Sequence, residues 1–217
     1  YSDSNVKVIG THCGVAIGED GPTAQAIGDV AYIRAMPNFI VICPADAVEA
    51  EKAIMAVAKR KGPAYVRLGR PNVKTIYEDS YEFEIGKASV VAEGNDAAII
   101  ASGIMVQESM AAAEILKKEG INVKVINMST IKPLDRKAVA DAAKTGVIVT
   151  ADDHNIYGGL GSAVAAVIAE EGLKVAFDMV GVKDRFAESD SQKVLFKKYG
   201  MDAEAIAAAV KKLTKNE

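Results

Sequence analysis

The densest run of reactive side chains lies between Thr11 and Gln25, T-H-C-G-V-A-I-G-E-D-G-P-T-A-Q. It holds His12 (one of two histidines in the chain), the adjacent carboxylates Glu19 and Asp20, Cys13, and three glycines, Gly14, Gly18 and Gly21. An imidazole with a pKa near 6.5 can hold a phosphate as a cation or carry a proton. A carboxylate in such a loop can accept a hydrogen bond from a hydroxyl, and glycines let the backbone approach a ligand closely. A second candidate, Arg70, stands in Gly69-Arg70-Pro71 at the end of an apolar run. A guanidinium fork matches phosphate oxygens in a bidentate way. Arg67, three residues earlier, offers the same chemistry. Each of these residues also has a plainer use. Thr23 can cap a helix, the Glu19-Asp20 pair can be solvated loop charge, and Arg70 can make an interdomain ion pair.

The elements that must position these groups are readable from the apolar pattern. Val6 to Ile9 reads as a strand, and Ile27, Val30 and Ala31 mark a helix over 24–36. Phe39 to Cys43 is a continuous apolar run, as in a buried parallel strand. Asp46 with Glu49 makes a capping-box-like helix start, with Ala50, Ile54 and Val57 as the apolar stripe before Gly62-Pro63. Ala64 to Leu68 is another strand. Strands alternating with helices imply right-handed crossovers and a parallel sheet, and ligands then bind beyond the strands' carboxyl ends. Thr11–Gln25 and Arg70 both occupy such ends.

Residues 71–80 are polar and aperiodic and read as a linker. Tyr81 to Val91 alternates and suggests a strand. Further strands are expected at Ala97–Ala101, Val123–Met128, Val147–Thr150 and Val175–Val180, with helices between them and a last helix at about 203–213. The expected fold class is α/β: two open, mainly parallel sheets flanked by helices, with domains over 1–70 and 81–217. In the second domain, Asp152-Asp153-His154 precedes Gly158–Ser162. A dinucleotide fingerprint fails there, because Val164 stands at the third glycine position. His154 is given no catalytic role.

Composition removes other classes. The net charge is −3 and there is no basic block, which argues against nucleic acid. No apolar run approaches the roughly 20 residues that span a bilayer, and no signal peptide is visible. Two cysteines, Cys13 and Cys43, make no disulfide framework and no metal motif. A cytoplasmic setting is the expectation.

Gly18-Glu19-Asp20-Gly21-Pro22-Thr23, preceded by Thr11-His12, resembles the signature loop in the pyrimidine-binding domain of transketolases. The resemblance continues through Ile33-Arg34-Ala35-Met36-Pro37-Asn38, Pro44-Ala45-Asp46 and Gly69-Arg70-Pro71-Asn72, and covers essentially the whole chain. It implies an enzyme that moves a two-carbon ketol unit between phosphosugars with thiamine diphosphate and magnesium or calcium. It also implies roles for three residues. His12 and Arg70 would hold the sugar phosphate, and Asp20 would accept a hydrogen bond from an acceptor hydroxyl. One position departs from the pattern. Ala24 stands where transketolases carry a histidine after G-P-T, which leaves the substrate preference open.

The resemblance further implies what lies outside the chain. The glutamate that activates the cofactor's aminopyrimidine and the aromatic residues around that ring would precede Tyr1. The metal–diphosphate site would lie in a separate pyrophosphate-binding domain or subunit. Glu19 is not the activating glutamate. The chain is therefore expected to be the carboxy-terminal section of a longer or split enzyme, to hold no catalytic residue, to bind no cofactor alone, and to form a homodimer. The alternatives are a 1-deoxyxylulose-5-phosphate synthase, a 2-oxo-acid dehydrogenase β subunit, and a non-catalytic α/β dimerisation module.

Overall fold

A computed structural model describes residues 2–215. In chain order the first elements are β1 (Lys7–Gly10), α1 (Asp29–Ala35), β2 (Ile40–Ile42), α2 (Ala47–Lys59) and β3 (Ala64–Arg67). They are followed by β4 (Ser89–Ala92), β5 (Ala97–Ala101), α3 (Met105–Lys118), β6 (Val123–Asn127), β7 (Thr130–Lys132) and α4 (Arg136–Ala143). The chain ends with β8 (Val147–Asn155), α5 (Leu160–Glu170), β9 (Ala176–Val182), α6 (Gln192–Tyr199) and α7 (Ala203–Thr214).

Two sheets result. The first has the order β1-β3-β2-β7, with β1, β3 and β2 parallel and β7 antiparallel to β2. The second has the order β4-β6-β5-β8-β9, parallel except where β4 meets β6. The α/β class with mainly parallel sheets is as the sequence pattern implies. The central strand β5, A-A-I-I-A, is fully buried along its length. Its residues alternate between faces. Ala97, Ile99 and Ala101 pack with Met105, Leu116, Phe196 and Ile206, while Ala98 and Ile100 pack with Val139, Leu160 and Val164. Both faces are covered, so the strand has no polar side and reads as one apolar run.

The second cluster also takes in Val30, Val41, Cys43 and Tyr65 from the first sheet's unit. The two units therefore share a core. The crossing goes further in β7, which comes after β6 in sequence yet completes the first sheet. Residues 71–80 form neither helix nor strand and lie along both units. Val73, Ile76 and Tyr77 pack on the second unit, and the N–H groups of Ile76 and Tyr77 donate to Asp46 Oδ2 at 2.6 and 2.9 Å.

Three local expectations change. Helix α1 begins at Asp29, not at 24. The carbonyls of Ala26 and Ile27, which a longer helix would use, accept instead from Gly14 N and Asn155 N. The alternation over 81–91 yields a strand only at Ser89–Ala92, because Phe83 and Ile85 face the first unit's core. The buried stripe of α2 runs through Glu49, Ala53 and Val57, one step round from Ile54.

Candidate functional site

The loop after β1 is a tight turn built on its glycines. Gly14 leads into a 3-10 segment, Val15–Asp20, that kinks at Gly18, where φ is 80°. Gly14 itself has φ 82° and ψ −178°, a conformation reserved for glycine. The turn's first four residues are buried and its last two, Glu19 and Asp20, are exposed. The hydrophobic wall of Val15, Ala16 and Ile17 thus anchors the turn, and the acidic end faces out.

Arg70 leaves the adjacent strand end and reaches this turn. Its Nη1 donates to the Ile17 carbonyl at 2.7 Å and lies 3.4 Å from Glu19 Oε2 and 3.6 Å from Asp20 Oδ1. The Arg70 side chain is 41% exposed and that of Asp20 50%. Ala16, Ile17, Gly18, Arg70, Asn72 and Gln192 are among the residues lining a shallow depression of about 320 Å³. Asp20 and Arg70 are therefore brought together. Solvent-exposed ion pairs of this length contribute at most about 1 kcal/mol, so an anion can displace the two acids at small cost.

His12 follows β1, which pairs with β3 in register, and Cys13 N donates to Leu68 O at 3.3 Å across the two strand ends. His12 is exposed, has φ 62°, and sits 3.0 Å from its neighbour Thr11 Oγ1 through Nδ1. It shares the carboxyl-end rim of the sheet with Arg70.

Arg67, the competing arginine, is committed elsewhere. Its Nε donates to Asp29 Oδ2 at 2.8 Å, and its Nη2 donates to the carbonyls of Ala26 and Asp153, each at 2.9 Å. Tyr65 OH also donates to Asp29 Oδ2, at 2.6 Å. Burial pushes the Asp29 carboxyl up, but Arg67 and the two side-chain hydrogen bonds outweigh it and hold the group below the usual aspartate range. Desolvation and the Asp29 contact drive the Tyr65 hydroxyl up strongly, so it stays a proton donor. Asp29 Oδ1 lies 3.9 Å from His154 Nε2, and His154 Nδ1 donates to Asn155 O at 2.7 Å. His154 is wholly buried in this cluster.

Sequence reasoning passed over Asp153 and Glu49, and both turn out to tie the units together. Asp153 accepts from Val15 N at 2.8 Å and Ala16 N at 3.1 Å. Glu49 N donates to the Asp46 cap at 2.8 Å, as a capping box predicts. The Glu49 carboxylate, however, accepts from Ala45 N at 2.7 Å, from Asn127 Nδ2 at 2.8 and 3.0 Å, and from Tyr81 OH at 3.1 Å. Desolvation raises its pKa above the ordinary glutamate value in spite of these donors. The Asp-Asp-His run ahead of a glycine-rich loop was the visible signal for Asp153. Glu49 gave none beyond its place in the cap.

The residues present do not fit thiamine diphosphate. Among the described residues the one buried glutamate, Glu49, is fully engaged by protein donors, and Glu19 is exposed beside Arg70. Among the described residues no three His, Cys, Asp or Glu side chains are grouped to hold a metal ion.

Comparison with known proteins gives two family matches, to the transketolase pyrimidine binding domain over residues 1–75 and to the transketolase C-terminal domain over residues 86–206. A protein of Methanocaldococcus jannaschii described as a putative transketolase C-terminal section is 42% identical over 219 residues, which is 100% of this chain and 69% of that protein. Human transketolase is 42% identical over 217 residues, 98% of this chain but 34% of its own length. A 1-deoxy-D-xylulose-5-phosphate synthase of Syntrophotalea carbinolica is 39% identical over 201 residues, 91% of this chain and 32% of the synthase. Among solved structures, a split gene transketolase described as an inactive beta4 tetramer superimposes with a TM-score of 0.90 at 41% identity, covering 97% of this chain and 67% of that one. The chain thus spans about a third of the human and synthase relatives.

Proposed function

The chain belongs to the transketolase family, and we propose that it supplies the acceptor-phosphate side of a thiamine diphosphate-dependent site that transfers a two-carbon ketol unit between phosphosugars. One observation carries this reading. Arg70, the half-exposed arginine beyond the carboxyl end of β3, pairs with Asp20 of the G-E-D-G-P-T loop beside an open depression that Arg70 and Glu19 line, while Arg67 is buried and spent. Arg70 and His12 bind the sugar phosphate from the sheet rim. Asp20, freed from Arg70 by the incoming anion, accepts a hydrogen bond from the hydroxyl next to the acceptor's aldehyde. A site built on such a bond rejects acceptors that lack the hydroxyl, because its carboxylate is left unpaired.

The cofactor supplies the carbanion chemistry when bound in the complete enzyme. Its activating glutamate, its aromatic contacts and its magnesium or calcium ligands come from segments or a separate pyrophosphate-binding subunit beyond this chain. The complete enzyme works in the cytoplasm as an assembly of at least two copies. Mixed with thiamine diphosphate, magnesium and phosphosugars, the purified chain alone forms no product; turnover above buffer would sink this reading.

The decisive variant is Arg70→Ala in the complete enzyme. KM for phosphorylated acceptors should rise by the equivalent of about 1.5–3 kcal/mol, the loss of one charge-assisted contact, with unphosphorylated analogues little affected. Equal losses on both would make Arg70 a structural residue. The synthase alternative, whose relative is 39% identical over 91% of the chain against 42% over 98% for human transketolase, is separated by the same assay run with pyruvate as donor.

A further inference from the structure

We infer that Asp153, in the carboxy-terminal unit, is the positioning residue that sets the substrate loop in place beneath Arg70, an inference that rests on the functional reading above. The chain of contacts is continuous. The Asp153 carboxylate takes the first two N–H groups of the turn, from Val15 and Ala16. The next residue, Ile17, offers its carbonyl to Arg70 at 2.7 Å. The turn then carries Asp20 to within 3.6 Å of the same guanidinium. Two hydrogen bonds, from Ala16 N to Asp153 and from Arg70 to Ile17 O, therefore link Asp153 to Arg70, and the same turn carries Asp20.

The approach of the two units at this point is too close for any residue but glycine. A Cβ at Gly14 would stand 2.1 Å from Asp153 Oδ2 and 2.8 Å from the Asp153 carbonyl oxygen. Arg67 clamps Asp153 from behind through that carbonyl and binds the Ala26 carbonyl with the same nitrogen. Gly14 N also donates to Ala26 O at 3.0 Å, and Asn155 N donates to Ile27 O at 2.9 Å. Both ends of the loop are thus fixed to β8 and β3. The charged groups around Asp153 are Arg67, Asp152 and, through Arg67, Asp29 with His154. The loop's own charges, Glu19 and Asp20, lie at its far end. A carboxylate accepts two N–H groups more strongly than a neutral side chain does, which explains an acid in a buried place.

Amide hydrogen exchange and acceptor kinetics on the complete enzyme test the role together. Asp153→Asn presents an amide N–H to one of the two backbone donors. Exchange at Val15 and Ala16 should quicken by about tenfold to a hundredfold, the change for a lost charge-assisted bond, while β5 amides keep their rates. KM for phosphorylated acceptors should rise with kcat held, and Asp153→Glu should recover part of the loss. If Asp153→Asn does not fold, Val15→Pro removes one of the two donors with the carboxylate intact, at a first-turn position proline tolerates, and faster exchange is then read at Ala16, with β5 amides and acceptor kcat unchanged. Unchanged exchange at Val15 and Ala16, or a uniform rise that includes β5, overturns the inference. So does faster loop exchange with unaltered acceptor KM in an enzyme where Arg70→Ala is phosphate-selective. Where Arg70→Ala is not selective, the functional reading fails, and exchange at Val15 and Ala16 still decides whether Asp153 holds the loop.

Discussion

At the scale of single residues, the chemistry divides into groups that face out and groups that hold them. Arg70, Asp20 and His12 face out, and their types and motif context put them forward as candidates in the sequence. Arg67 and Arg70 could not be separated there, because both end the same strand and only burial assigns one to Asp29 and the other to the rim. The Asp-Asp-His run marks Asp153, but its role was illegible for a different reason. Its partners Val15 and Ala16 lie 138 and 137 positions away, and no local pattern reports them. Its environment has a measurable consequence. Desolvation pushes the Asp153 carboxyl up to about 6, against the lowering effect of Arg67 and the two backbone donors. An unfolded aspartate titrates near 3.9. Between those values the folded protein holds more protons than the unfolded chain, so stability falls as pH rises from about 4 to 6 and stays lower above. The asparagine at this position in Asp153→Asn does not titrate. The difference in unfolding free energy between wild type and Asp153→Asn should therefore move against wild type by about 2 kcal/mol from pH 4 to pH 7. Urea titrations at both pH values check this, and a difference that stays flat would mean the carboxyl titrates in the fold as it does in the open chain.

At the scale of elements, the strands were the easy part. The all-apolar β5 and the run at Ile40–Ile42 announce strands buried on both faces, and the structure has them there. Helix α1 is shorter than its periodicity because tertiary partners took the Ala26 and Ile27 carbonyls. Pattern reasoning weighs residues in a window and cannot see such competition. Helix α2 illustrates the reverse case. Its cap was legible, yet Glu49 does more than cap. From the first turn of α2 it receives Asn127 from the end of β6 and Tyr81 from the irregular stretch between the units. Tyr81 stacks on Tyr77 at 3.8 Å, and Tyr77 OH accepts from Asn127 Nδ2 at 2.7 Å. Removing the carboxylate would leave the buried Ala45 N–H without its acceptor and the Asn127 amide with Tyr77 OH alone. Glu49→Ala should cost about 3 kcal/mol or more by this mechanism, read as a lower urea midpoint with near-UV tyrosine signals disturbed. Glu49→Gln keeps the shape and one acceptor, and should lose less. An alanine variant as stable as wild type would show that the Asn127 amide finds another partner.

At the scale of the whole molecule, the two units are not beads on a string. They share a hydrophobic cluster, β7 completes the first sheet, and the carboxylates of Glu49 and Asp153 bind across the junction. A truncation near residue 80 would strip β2 of β7 and Glu49 of Asn127, so domain-by-domain deletion is a poor way to map an interface here. Point substitution is better suited. Two large aromatic side chains, Tyr32 at 71% and Phe186 at 77% exposure, line one depression with Ile27 and Arg185. The β1 edge adds Val6, Val8 and Ile9, all more than a third exposed. Apolar surface of this kind on a chain that is otherwise well packed marks contact surface, and a two-fold pair is the commonest way for identical chains to cover it. We therefore expect sedimentation equilibrium to show self-association at roughly tens of micromolar, an ordinary range for contacts of modest area. Phe186→Glu should shift that equilibrium toward monomer by about tenfold or more if the pair buries this exposed aromatic, since burying a charge there is costly. The exposed Met55 on α2 provides the control, and Met55→Glu should leave association unchanged. A wild-type chain that sediments as a clean monomer across that range would remove the pair, and equal effects from both glutamates would place the contact elsewhere.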